Sequence, residues 1–147
     1  MDKGLKILLL SVLLATPISC GNDDDVDCTT ALPPPNWFEL GFFDTSGQPL
    51  IGTVYLQDEF RVFNDNSEIF LSPVPFGNPN RLQVRYEDFD SNLDYYIELT
   101  AQDVDTLRFI FESTQGPCFL INDLQQVIYN GESLEIGNSN LVELIKE

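Results

Sequence analysis

The sequence predicts an all-β domain, an antiparallel β-sandwich of about seven to nine short strands, carried on an extended N-terminal tether. From Trp37 onward apolar residues recur with a period of two rather than 3.6. Clusters of Asn, Asp, Gly, Pro and Ser interrupt that alternation at short intervals, as in sandwiches. All 11 Phe, all 5 Tyr and the single Trp lie at or beyond Trp37, which sets the core-forming segment at residues 37–147. A segment of about 110 residues buries roughly two-thirds of its unfolded surface, enough for one core.

The strands follow in order. Phe38, Leu40 and Phe42 alternate with Trp37, Glu39 and Gly41. Asp44-Thr45-Ser46-Gly47 is turn chemistry, closed by Pro49. Val54 and Leu56 alternate with Thr53, Tyr55 and Gln57, which predicts a second strand with Val54 and Leu56 inward. Phe60 and Val62 continue the pattern to a turn at Asn64–Ser67, and Glu68–Leu71 is a short strand. Pro73, Pro75, Gly77 and Pro79 define a loop unfit for a central strand. Leu82/Val84/Tyr86, Tyr95/Ile97/Leu99 and Leu107/Phe109/Phe111 predict a three-stranded antiparallel meander, with turns at 88–92 and 100–105. Weaker strands are expected at 118–121, 126–129 and 133–136, the last two joined by an Asn130-Gly131 hairpin turn. Leu141–Ile145 fits a closing strand or a short helix.

Residues 1–19 have the form of a secretory signal. Lys3 and Lys6 supply the positive start, and Leu5–Ala15, apart from Lys6 and Ser11, is apolar and too short to span a bilayer. Thr16-Pro17-Ile18-Ser19-Cys20 resembles a bacterial lipobox, which implies that Cys20 is lipidated and becomes the first mature residue. The following Gly21-Asn22-Asp23-Asp24-Asp25 resembles the acidic export signal of Bacteroidota-type lipoproteins. That resemblance implies lipid-anchored display on the outer face of the outer membrane, with Asp23, Asp24 and Asp25 as the signal. The plainer alternatives are an ordinary cleaved leader and a solvated acidic spacer. Residues 20–36 then form a tether ending in Pro33-Pro34-Pro35, which favours an extended polyproline II spacer.

Charge narrows the partners. The chain has 24 acidic residues, 7 basic ones and no histidine, for a net charge of −17. Such a surface repels phosphates, which argues against nucleic acid and against anionic headgroups, so membrane contact rests on the lipid alone. The lack of histidine removes the commonest general base and transition-metal ligand. No nucleophile elbow, Cys-His pair or phosphate loop is present, so neither an enzyme nor a cofactor is expected.

With Cys20 assigned to the lipid, Cys28 and Cys118 remain, and an oxidising compartment favours a disulfide between them over two free thiols. Asp88, Asp90, Asn92 and Asp94 place oxygen ligands at every second position and form a weak calcium candidate. The run resembles the opening of an EF-hand loop, but Leu93 replaces the turn glycine, and an acidic hairpin turn is the simpler reading. Arg81 and Arg85 share an outward strand face, with Arg108 expected two strands away on the same sheet and Glu98 and Glu112 interleaved. They form either a docking face for carboxylates or a ladder of surface ion pairs, and the ladder is favoured. Among the aromatics, Tyr95 should point inward and Tyr96 outward, with Trp37 covering an edge near the tether. Phe76, mid-loop, and Tyr96 are the candidate exposed ligand-binding rings.

Asp44-Thr-Ser-Gly-Gln-Pro-Leu-Ile-Gly52 resembles the opening of carboxypeptidase-regulatory-type sandwiches, which implies a sandwich and no activity. The function expected is therefore a non-enzymatic envelope lipoprotein domain, an interaction or structural module docking onto another envelope protein. The alternative is a carbohydrate-binding accessory module of a surface glycan-uptake system.

Overall fold

The computed structural model describes residues 27–74, 77–136 and 140–146. Cys20, Asp23, Asp24, Asp25 and Phe76 lie outside the described residues. Among the described residues nine strands form two sheets: β1 (Trp37–Asp44), β2 (Phe60–Phe63), β3 (Glu68–Leu71), β4 (Leu82–Arg85), β5 (Asp94–Thr100), β6 (Asp103–Gln115), β7 (Leu120–Tyr129), β8 (Glu132–Glu135) and β9 (Leu141–Lys146). One sheet has the order β4-β1-β9, the other β3-β2-β5-β6-β7-β8. The chain is all-β, and its two sheets are consistent with a sandwich. Leu141–Lys146 is a strand rather than a helix, and it pairs parallel to β1 from Glu39↔Leu141 to Asp44↔Lys146. The other strand pairs are antiparallel.

The period-two pattern builds the core. Phe38, Leu40 and Phe42 of β1, Leu82 and Val84 of β4, and Val142 and Leu144 of β9 are buried on the smaller sheet. Opposite them lie Phe60, Val62, Tyr95, Ile97, Leu99, Leu107, Phe109 and Val127. Phe38 meets Phe109 across the gap with ring centroids 5.3 Å apart, and Phe42 meets Tyr129 at 6.1 Å. Edge-on packing of this kind adds about 0.5–1.5 kcal/mol per pair beyond area burial.

The strands expected at 118–121 and 126–129 are one strand, β7, and two further assignments change. The expected meander does not begin at β4, which pairs with β1 in the other sheet; the meander is β5-β6-β7-β8. Between β4 and β5 the chain makes a short 3-10 turn (Tyr86–Asp88) and crosses from one sheet to the other. Its two buried aromatics make that crossing favourable. Tyr86 packs on Phe38 and Phe111, and Phe89 on Tyr95 and Phe109. The second change is at residues 52–57, where no strand forms. Tyr55 is buried, while Val54 and Leu56 are 61% and 73% exposed. This is the one-residue inversion that a period of two permits.

The tether's end is fastened to the domain. Cys28 and Cys118 are disulfide-bonded, with Cα atoms 5.4 Å apart and a sequence separation of 90. Chain-entropy arguments give a loop of this size about 4–5 kcal/mol of stabilisation. Farther along the strap, Asn122 donates its side-chain amide to Asn36 at 2.6 Å, and the Tyr86 N–H donates to the Asn36 carbonyl. The strap therefore lies against the start of β7, just beyond the last residue of β6.

Candidate functional site

The main polar constellation sits between the sheets at the far end of β6. Alternation along β6 turns Asp103, Asp105, Leu107 and Phe109 inward, because β6 begins at Asp103 rather than after Asp105. Asp105 is only 7% exposed. On β9 the same parity turns Val142, Leu144 and Lys146 inward. The Lys146 ammonium donates to Asp103 Oδ1 at 2.6 Å and to Asp105 Oδ2 at 2.7 Å. Tyr55 donates its hydroxyl to Asp103 Oδ2, and Tyr129 to Asp105 Oδ2, both at 2.7 Å. The Asn130 side-chain amide completes the set, donating to Asp105 Oδ1 at 3.0 Å.

Asn130 has two tasks. With Gly131 it forms the β7–β8 turn, at φ 49° and 85°. Glycine and asparagine are the residues that accept these left-handed angles at low cost. Its carbonyl oxygen meanwhile accepts the Thr106 N–H at 2.9 Å. One side chain thus ties a turn to β6 and to the buried carboxylate.

Burial and hydrogen bonding set the charges. Burial and the bond to Asp103 push the Tyr55 phenol up to about 12. Burial, reinforced by Asp105, likewise raises the Tyr129 phenol. Partial burial opposes ionisation of Asp103, but the bonds from Lys146 and Tyr55 outweigh it and lower the acid. Burial also opposes the Lys146 charge, and the two aspartates outweigh it, so the lysine is raised. A raised lysine and raised phenols are poor nucleophiles and poor bases at neutral pH. The oxygens of both aspartates are occupied. The constellation is a clasp joining β6, β7 and β9, and it lines a shallow depression with Glu132 and Ile145.

A second surface is the outward face of the larger sheet. Register places Arg61 opposite Phe70 and Glu98, and Phe63 opposite Glu68 and Tyr96. The Phe63 and Tyr96 rings lie 5.5 Å apart at 31°, and the Arg61 guanidinium stands 4.2 Å above Phe63. Phe70 is 55% exposed and Tyr96 42%. Arg61 pairs with Glu68 and, at 3.2 Å, with Glu98. Arg108 grips Asp94 with two bonds of 2.8 Å, and this pair with Tyr96, Thr106 and Ile128 borders a shallow depression.

The expected site residues distribute as follows. Tyr95 is buried and Tyr96 outward, as alternation requires. Arg81 and Arg85 belong with β4 in the smaller sheet, so they share no face with Arg108, which corrects the single ladder. Each is ion-paired locally: Arg81 with Glu39 at 2.7 Å, Arg85 with Asp88 at 2.9 Å and Glu87 at 3.3 Å. Two of the calcium candidates are engaged by arginines. Asp88 is held by Arg85, Asp94 by Arg108, and the Asn92 N–H donates to the Phe109 carbonyl. Among the described residues no group of three or more acidic, His or Cys side chains is disposed to hold a metal ion.

Sequence reasoning passed over Asp105, Tyr129 and Lys146, and also Arg61, Phe63 and Phe70. The first set was detectable only through strand parity at Asp103–Asp105 and at Lys146. The second needed the β2–β5 pairing, which no local pattern announces.

Comparison with protein-family models, with curated proteins and with solved structures finds no match to this chain.

Proposed function

We propose that this chain is a non-catalytic outer-membrane lipoprotein, anchored through Cys20 and displayed at the cell surface, whose sandwich is an interaction module for another envelope protein. The observation that carries the docking role is the outward face of the six-stranded sheet. Phe63, Tyr96 and Phe70 form an aromatic centre, and the arginines around it, Arg61 and Arg108, are already neutralised by Glu68, Glu98 and Asp94. An apolar centre with a polar, charge-balanced surround is the anatomy of a protein-docking patch. The lipobox-like and acidic segments of the sequence support the anchoring and export.

Photo-crosslinking in intact cells tests the role. A benzophenone side chain replacing Phe70 should give a discrete adduct, and the same group replacing Glu87, beside the smaller sheet, should not. No adduct at position 70, or equal adducts at both, rejects the docking face.

A second reading rests on the exposed Tyr96 ring beside Phe63, 5.5 Å away and tilted by 31°, since an aromatic ring at a surface suits a sugar face. Binding on a glycan array that disappears in Tyr96→Ala would favour a carbohydrate-binding module. An array without a binder disfavours it.

A further inference from the structure

We propose that the run Gly52–Glu59 is a preorganised docking tip for a partner whose apolar pocket is rimmed by Lys and Arg. It is a separate surface from the sheet face above. The argument begins with anchoring. Ile51 and Phe60 are fully buried at the two ends of the run, and Tyr55 is buried at its middle. The Leu50 carbonyl accepts the Val54 and Tyr55 N–H groups at 2.8 and 2.9 Å, and the Gly52 N–H donates to the Tyr55 carbonyl at 2.8 Å. Gly52 sits at φ 80°, where a side chain would be strained. Tyr55 is bolted to Asp103, and Gln57 donates to the Leu99 carbonyl. With Tyr55 drawn inward, its neighbours Val54 and Leu56 are driven out to solvent. Two apolar side chains held exposed on a fixed backbone lose little entropy on binding.

Position and charge complete the case. Tyr55 is tied to the first residue of β6, whereas the disulfide strap is fastened just past its last. Thirteen residues of strand separate the two ends, roughly 40 Å. The run therefore lies at the end of the domain farthest from the tether. Within it, Asp58 and Glu59 are exposed, and no described basic residue pairs with them. Arg61, Arg81, Arg85, Arg108 and Lys146 are all committed to other carboxylates. The tip thus presents apolar side chains beside uncompensated negative charge, which a cationic rim complements. A second copy carries the same −17 and is repelled.

A phage-displayed library of random dodecapeptides, panned on the folded domain, tests this. The enriched peptides should combine apolar residues with Lys or Arg and weaken as salt rises. Val54→Ser/Leu56→Ser and Asp58→Asn/Glu59→Gln should each weaken them about tenfold, with thermal midpoints unchanged because all four side chains are exposed. Phe70→Ser should leave them bound. The tip is rejected if no peptide is enriched, if both double variants bind as wild type does, or if the domain forms a dimer that Leu56→Ser dissolves. Peptides that require Phe70 and not Leu56 also reject the tip, and they leave the sheet-face reading intact.

Discussion

Tyr129 and Lys146, from strands in different sheets, converge on the same oxygen, Asp105 Oδ2, each at 2.7 Å. This bond set ties β9 to the larger sheet through Lys146. The clasp also closes the mouth of the core, where Leu107 and Tyr129 lie opposite each other in register.

Removing either side of the clasp should destabilise the fold. Breaking a fully buried pair costs about 3–5 kcal/mol; the partial exposure of Lys146 and Asp103 lowers the expectation to about 2–3 kcal/mol for Lys146→Met. Asp105→Leu combined with Lys146→Met should recover part of that loss, because the more buried carboxylate is then gone and Asp103, one-third exposed, keeps its bond from Tyr55. Urea unfolding of both variants checks this. Losses under about 0.5 kcal/mol would show that the clasp contributes nothing measurable.

The same groups set a pH window. Asp103 is lowered, so its contribution is present above its unfolded value and is lost as pH falls through its lower folded value. Lys146 is raised, so its contribution is complete below its ordinary 10.5 and is lost as pH rises beyond that. Tyr55, pushed up to about 12, adds to the alkaline loss above its ordinary 10. Stability followed by circular dichroism should therefore hold between roughly pH 4 and 10 and fall on both sides. Lys146→Met should shrink the alkaline loss without abolishing it, since the tyrosines remain. An unchanged alkaline limb contradicts the assignment.

Asn130 separates turn conformation from hydrogen bonding. Asn130→Gly keeps the left-handed turn and loses the bonds to Asp105 and Thr106; Asn130→Ala loses both. The glycine variant should cost about 1–2 kcal/mol, and the alanine variant about 1 kcal/mol more. Equal losses would mean that the turn angle is not a constraint.

Anchoring and export are separable at the cell. Cys20→Ala should abolish labelling by a radioactive fatty acid and release the protein from membranes. Changing Asp23, Asp24 and Asp25 together to Ala should leave it membrane-bound and protect it from added protease. A wild-type protein that resists shaving would place the domain on the periplasmic side.

Much of the architecture was legible because burial repeats every second residue. Phe38, Leu40 and Phe42, or Tyr95, Ile97 and Leu99, leave little doubt about strand and face. Pairing was less legible. Leu82 and Val84 have the same pattern whichever sheet they join, and only the buried Phe89 inside an apparently polar turn signals the crossing. Val54 and Leu56 misled for a different reason: the Tyr55 bond to Asp103, across 48 residues, overrides the hydrophobicity of its neighbours. The clasp was hidden because Asp103 and Asp105 have the composition of a turn while belonging to a strand.

The Cys28–Cys118 bond also determines how the molecule carries mechanical load. A pull between the strap and β9 passes through the disulfide directly to the start of β7, and the residues inside the covalent loop cannot be drawn out. Only the chain beyond Cys118 is free to extend, roughly a quarter of the contour length available once the bond is reduced. Pulled between its strap and β9, the domain would lengthen little even after its sheets had separated.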